Sequence, residues 1–169
     1  INPYSLGESS FGGSGYDIAC GLAKGPIFFT RNSNKPIIQK VNFSPSFTDK
    51  LFFVNLNKKM NSQNAVKNFD LKLVTRSIIS KLNSLTDKIA QTKKLSAFEE
   101  LITQHEFLIG KLLKKNPIKK DLFPDFNGSI KSLGAWGGDF FLATGDRSEM
   151  KYFYDKGFTT IIPYRQMCL

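Results

Sequence analysis

Three glycines within four positions, Gly12, Gly13 and Gly15, constrain this chain more than any other stretch. A helix or strand interior built from them is costly, because glycine gives up more backbone freedom on folding than any other residue. They predict a tight turn in which backbone N–H groups approach something closely, with a helix starting near Tyr16. A glycine-rich turn opening a helix suits anions, through free N–H groups and the positive end of the helix dipole. Asp17 then falls in the first helical turn, at the rim of that pocket. A plain turn in which Asp17 complements the helix dipole fits the same residues, and chemistry alone leaves both readings open.

A second cluster of small residues lies far downstream, at Gly134, Ala135, Gly137 and Gly138. Apolar segments flank it, so it predicts a turn joining two strands. Missing side chains would let backbone N–H groups reach a phosphate or an acidic ligand; a hairpin with a glycine-rich bulge is the structural alternative. Trp136, in the middle, argues against a simple hairpin, because an indole among glycines is expensive unless its face covers something. Lys131 and Asp139 flank the turn, either as strand-end charges or as ligand contacts.

The 169 residues allow one domain or slightly more. Hydrophobic residues make up 41% and charged residues 22%, which excludes a disordered chain. Sixteen phenylalanines supply most of the aromatic content, so the core should be rich in rings. The formal net charge of +10 favours anionic partners of any kind: phosphorylated metabolites, nucleic acid or acidic lipid. The lysines are scattered and occur in pairs such as Lys58-Lys59 and Lys119-Lys120, so a basic tail is excluded and a solvated basic surface is the simplest reading. Cys20 and Cys168 are distant in sequence and His105 is the only histidine, so no metal-ligand spacing is present and no metal site is predicted. The cysteines read as thiols of a reducing, cytoplasmic compartment. No apolar run approaches the ~20 residues of a membrane span, and no membrane role is expected. The chain opens on Ile1-Asn2-Pro3-Tyr4, which reads as the interior of a longer polypeptide.

In order, residues 17–23 form a short helix broken by Gly25-Pro26, and residues 27–30 and 36–43 form a hairpin. Residues 44–46 are a linker, which places a boundary between 1–46 and 47–169. Residues 50–56 are a strongly apolar central strand, followed by a polar loop. Leu71, Val74, Ile78, Leu82, Leu85 and Ile89 share one face of a long helix that Asp70 would cap. Ser96 with Glu99 would make a capping box for a second helix, whose apolar face holds Phe98, Ile102, His105, Ile109 and Leu112 until Asn116-Pro117 stops it. Residues 121–127 read as a loop, 128–133 and 139–144 as the strands around the second turn, and 158–164 as the last strand. Between them Asp146 and Glu149 would cap a short helix ended by Gly157. From residue 50 the order is strand, helix, helix, strand, strand, helix, strand. That order predicts an α+β, ferredoxin-like antiparallel sheet with helices on one face.

Two stretches carry a resemblance to a known family. Gly13-Ser14-Gly15-Tyr16-Asp17-Ile18-Ala19 resembles the acidic motif of the GHMP small-molecule kinases, in the Gly-Ser-Gly-x-Asp form of mevalonate-type members and with the Gly-Tyr-Asp-Ile-Ala wording of a bacterial subgroup. Lys131-Ser132-Leu133-Gly134-Ala135-Trp136-Gly137-Gly138-Asp139 resembles the family's third motif, with Trp136 where glycine is usual. The resemblance covers nearly the whole chain, as the C-terminal half of such a kinase: the tail of the N-terminal, ribosomal S5-like domain in 1–46, then the ferredoxin-like C-terminal domain.

The resemblance implies an ATP- and Mg²⁺-dependent kinase of the mevalonate pathway of isoprenoid biosynthesis, acting on a small hydroxyl-bearing metabolite, with mevalonate or phosphomevalonate as best guess. Asp17 would be the catalytic carboxylate. Gly13, Ser14, Gly15, Ser132, Gly134, Ala135, Gly137 and Gly138 would bind substrate or phosphate. His105 would neighbour the substrate, through a Gln104-His105-Glu106 step similar to one in the family, although a lone histidine on an apolar stripe is also an ordinary core residue. Asn61-Ser62 sits loosely where the family has a Ser/Thr-rich loop. The family's main phosphate loop, of the Pro-x-x-x-Gly-Leu-Gly-Ser-Ser type, has no match in residues 1–10, so the missing N-terminal half would be a necessary partner for ATP and Mg²⁺ and this stretch alone would be inactive. The shared fold of diphosphomevalonate decarboxylases makes them a rival within the class. From another class, a ferredoxin-like nucleic-acid module would expose aromatics such as Phe52-Phe53 and Phe140-Phe141, but the Lys/Arg-Gly-Phe-type signature is absent and nucleic acid is set aside as a partner.

Overall fold

The computed structural model describes residues 15–31, 36–58, 70–134, 136 and 138–168. The chain divides into two compact units, Ile1–Phe43 with Cys168–Leu169, and Ser44–Met167.

In the first unit Gly15 takes φ 79°, a left-handed conformation open to glycine at little cost, and leads into α1 (Tyr16–Leu22). The helix ends where Ala23 turns extended while its N–H still donates to the Ala19 carbonyl at 3.1 Å. Strands β1 (Ile27–Thr30) and β2 (Ile37–Lys40) pair antiparallel, from Ile27 opposite Lys40 to Thr30 opposite Ile37. The Tyr16 ring meets Phe29 edge-on at 5.8 Å, which ties helix to hairpin.

The second unit carries the main core. A 3₁₀ turn (Thr48–Lys50) leads into β3 (Leu51–Asn55). Helices α2 (Arg76–Gln91) and α3 (Leu95–Leu113) pack on each other, and α4 (Ile118–Leu122) precedes β4 (Ile130–Ser132). Then come β5 (Phe140–Thr144), α5 (Lys151–Asp155), β6 (Ile161–Pro163) and α6 (Tyr164–Met167). The sheet order is β4-β5-β3-β6, antiparallel throughout. With one helical connection after β3 and another after β5, this is the split arrangement of a ferredoxin-like α+β fold.

The register explains the core. Phe52 faces Ala143 and Pro163 across β3, Val54 faces Phe141 and Ile161, and Ile130 faces Ala143, so these side chains emerge on one side of the sheet. Ile118, Phe123, Phe126, Met150 and Phe153 cover them. Phe123 is the hub, with ring centroids 5.1 Å from Phe141, 5.2 Å from Phe153 and 5.3 Å from Phe158. Burying each such ring stabilises the fold by about 1.5–3 kcal/mol, and edge-on ring pairs add to that.

Several elements depart from the sequence expectation. The long helix does not begin at Leu71, which is 77% exposed. The Asp70 carboxylate instead accepts from the Lys72 N–H at 3.0 Å and closes a 3₁₀ turn, and the helix proper starts after Thr75, whose hydroxyl accepts from the Ile78 N–H at 3.3 Å. Its half-buried stripe is Ile78, Leu82, Leu85 and Ile89. Ser96 makes no capping box, because α3 starts one residue earlier at Leu95 with Lys94 as its cap, and Glu99 turns to the Thr144 hydroxyl at 2.5 Å. That helix ends before Asn116-Pro117, at Lys114 in a left-handed conformation. Residues 121–127 are not all loop, since α4 reaches Leu122. Half of the Asp146–Glu149 box forms: Glu149 accepts from the Asp146 N–H at 2.6 Å, while the Asp146 carboxylate pairs with Lys50. The last strand is shorter than expected: it starts only at Ile161, and Tyr164 already begins α6. The Asn61-Ser62 stretch lies outside the described residues.

Candidate functional site

Helix α3 lies along β4 and presents a row spaced by four: Phe98, Ile102, Glu106 and Gly110. All four are buried, and Glu106 is only 2% exposed. A carboxylate in such a row costs several kcal/mol unless its oxygens are satisfied. Here they are. Ser132 donates to it twice, from its N–H at 3.2 Å and its hydroxyl at 2.6 Å. The Trp136 indole N–H donates at 3.0 Å and the Lys131 ammonium at 3.4 Å. One buried side chain on a helix therefore holds the end of β4 and the middle of the turn that follows.

That turn is left-handed at three described positions: Gly134 at φ 57°, Trp136 at 58° and Asp139 at 50°. For a bulky residue such as Trp136 this conformation is uncommon and strained, so something must fix it. The Glu106 hydrogen bond is one fixing contact. Gly110 supplies another: a Cβ there would sit 3.2 Å and 3.5 Å from the Trp136 ring atoms Cη2 and Cζ2, so glycine leaves the notch into which the indole fits. The Asp139 N–H donates to the Lys58 carbonyl at 2.8 Å and its carbonyl accepts from the Leu56 N–H at 2.6 Å, which ties the far end of the turn to the segment leaving β3.

The charges beside the turn are perturbed in ways that follow from burial. Burial pushes the Lys131 ammonium below its ordinary range, opposed by Glu106. His105, next to Glu106 on the helix, is held down to about 4 by burial and by the Lys131 charge, so its ring is neutral at pH 7. Its Nδ1 is buried and has no hydrogen-bond partner among the described residues.

The expected site residues are distributed as follows. Ser132, Gly134, Trp136, Gly138, Asp139 and Lys131 fall on β4, the turn and the start of β5; Ser132, Trp136 and Gly138 are buried, Gly134 and Asp139 exposed. Ala135 and Gly137 lie outside the described residues, as do Gly13 and Ser14. In the first unit Gly15 precedes α1 and Asp17 sits exposed in its first turn. Beside it the Tyr16 hydroxyl is pushed up to about 12, chiefly by a hydrogen bond with Cys20 and then by burial. His105 is half-buried and lies off the buried row. Glu106, the residue that organises the turn, was not among the expected site residues. The signal was its place four residues from both Ile102 and Gly110; a stripe drawn through His105 at mixed spacings of three and four passes it by.

No family model matches the sequence, and no curated protein matches it in sequence. Among solved structures it is similar to L. major mevalonate kinase in complex with R-mevalonate, at TM-score 0.59 and 16% identity over 92% of this chain. The chain shares that fold. What is shared is a mixed α+β architecture with an antiparallel sheet and helices. It spans about half of that structure, 54% of its length. Among the described residues no helix is long and apolar enough to cross a membrane, and no three His, Cys, Asp or Glu side chains gather where they could hold a metal ion.

Proposed function

We propose that the chain is the C-terminal part of a GHMP-type kinase that transfers the γ-phosphoryl group of ATP to a small hydroxyl-bearing metabolite, with mevalonate or phosphomevalonate as acceptor. The observation that carries this is the fold likeness to a mevalonate kinase over 92% of the chain, joined to two glycine-rich motifs in the family's order. In the reaction an acceptor oxygen, the hydroxyl of mevalonate or a phosphate oxygen of phosphomevalonate, bonds to the γ-phosphorus, the bond to the β–γ bridging oxygen breaks, and ADP leaves. Such transfers need positioning and charge neutralisation more than covalent help. Asp17 orients the hydroxyl and takes its proton. The backbone of the turn between β4 and β5 faces phosphate, with Lys131 adding positive charge beside it. In this reading Mg²⁺ and a main phosphate loop of the Pro-x-x-x-Gly-Leu-Gly-Ser-Ser type, which residues 1–10 do not match, would complete the site. A cytoplasmic setting accompanies this role.

Of the rings the nucleic-acid alternative would use, Phe52 is 3% exposed and Phe141 fully buried, while Phe53, stacked on Tyr164 at 6.1 Å, and Phe140 are half-buried. The test is ADP release by the protein as its gene encodes it, supplied with Mg·ATP and either mevalonate or phosphomevalonate. Acceptor-dependent release is expected with one of the two; release with neither overturns the proposal.

A further inference from the structure

We infer that Glu106 is a positioning residue of the turn between β4 and β5: from inside α3 it sets where Ser132 and Trp136 stand, and so how the turn presents its backbone. The inference rests on the kinase reading only for what the turn binds.

The physical case begins with the glycines. Fixing a residue in a single backbone well costs conformational entropy, and most for glycine, so a glycine-rich turn does not hold a ligand-ready shape by itself. Its ends are tied by backbone bonds, Leu133 N–H to the Phe140 carbonyl at 3.3 Å and Asp139 N–H to the Lys58 carbonyl at 2.8 Å. Between them the large described side chain is Trp136, and it points inward, to Glu106 through its N–H and to the Gly110 notch through its ring. Glu106 and Gly110 are one helical turn apart, so α3 grips the indole at two points. The same carboxylate grips Ser132 twice and Lys131 once, which fixes the approach of β4 to the turn. Glu106 itself is sealed from solvent with its oxygens occupied, so it acts through these residues and does not touch substrate.

Trp136 is the single tryptophan of this chain, so intrinsic fluorescence reports on one ring. In the encoded protein, with any further tryptophan replaced by phenylalanine, Glu106→Gln and Glu106→Ala should shift the Trp136 emission to the red and raise its quenching by acrylamide, with far-UV circular dichroism retained. In the encoded protein assayed for ADP release, Glu106→Gln should raise KM for ATP on the order of tenfold with a smaller change in kcat, as expected when a contact surface is displaced. Unchanged emission in both variants overturns the inference. So does a folded, active Glu106→Gln enzyme with the unaltered KM, which would leave Glu106 a core residue only. Should Glu106→Ala fail to fold, Ser132→Ala and Trp136→Phe, each removing one donor and leaving the carboxylate, decide through the same KM. An encoded protein without kinase activity sinks the functional proposal alone, and the emission of Trp136 still decides the positioning role.

Discussion

Around Gly15 the backbone bends at φ 79° and runs straight into a helix whose first-turn residues, Tyr16 and Asp17, are exposed; around Gly134 and Trp136 the bend is backed by a buried carboxylate, an indole and a helix notch. Both stretches read alike along the chain, as small residues beside an acid. The difference teaches that glycine content marks a turn but does not say what braces it. Bracing comes from other elements, here from α3 some 30 positions before Trp136. The first turn leaves its acid open to solvent, as the proposed role of Asp17 needs. The second also leaves its neighbouring acid, Asp139, exposed, and takes its brace from a different acid, Glu106, held inside α3.

That contrast breaks most readily at the two acids. Asp17→Asn should lower turnover on the order of 10²–10⁴-fold, about 3–5 kcal/mol of barrier, with melting temperature unmoved, because the side chain is exposed. Steady-state ADP release and a thermal melt check both halves. Glu106→Ala should do the reverse in kind: it strips partners from Ser132 and Trp136 and should cost about 3 kcal/mol in urea unfolding. Comparable stability loss in both variants would erase the distinction between a reacting acid and a structural one.

The glycines sharpen it further. At Gly110 a Cβ would lie 2.8 Å from the Lys115 carbonyl oxygen and 3.2 Å from the Trp136 ring, so Gly110→Ala should cost about 2 kcal/mol and shift the Trp136 emission. His105 offers a pH test in the same region. Its folded pKa of about 4 lies below the ordinary histidine value of 6.5, so the unfolded chain binds the proton first. The stability present above pH 6.5 is then lost as pH falls toward about 4, by on the order of 1 kcal/mol after solvent screening of a half-exposed ring. The charged group acting on it in this balance is Lys131, which lowers it and is itself paired with Glu106. Melting curves of His105→Gln should show a shallower decline between pH 7 and 4.5 than the parent. In α1, by contrast, a Cβ on Gly21 meets nothing within 4 Å, so Gly21→Ala should stabilise by about 0.5 kcal/mol.

Much of the fold was legible because it is written in local pattern. The apolar run of residues 50–56 marked a central strand, residues 128–133 and 139–144 the strands around the second turn, and the element order alone implied the split antiparallel sheet. Boundaries set by side-chain competition were not legible. Asp70 could cap a helix or close a 3₁₀ turn, and only packing decides between them. Glu99 could serve Ser96 or Thr144, and the partner 45 positions away won. At the candidate site the turn itself was visible in Gly134, Gly138 and Trp136, and Trp136 was rightly expected to cover something. What it covers, the Gly110 notch under Glu106, depends on two helix positions whose inward direction follows from a steady step of four, not from the mixed spacing that favoured His105.

The most direct test is amide chemical-shift perturbation in the isotopically labelled protein as its gene encodes it, titrated first with Mg·ATP and then with mevalonate or phosphomevalonate. The account predicts that the Gly134 and Gly138 amides move with the nucleotide and that the Asp17 amide moves with the acceptor. Shifts confined to other segments, with all three of these amides still, would contradict it.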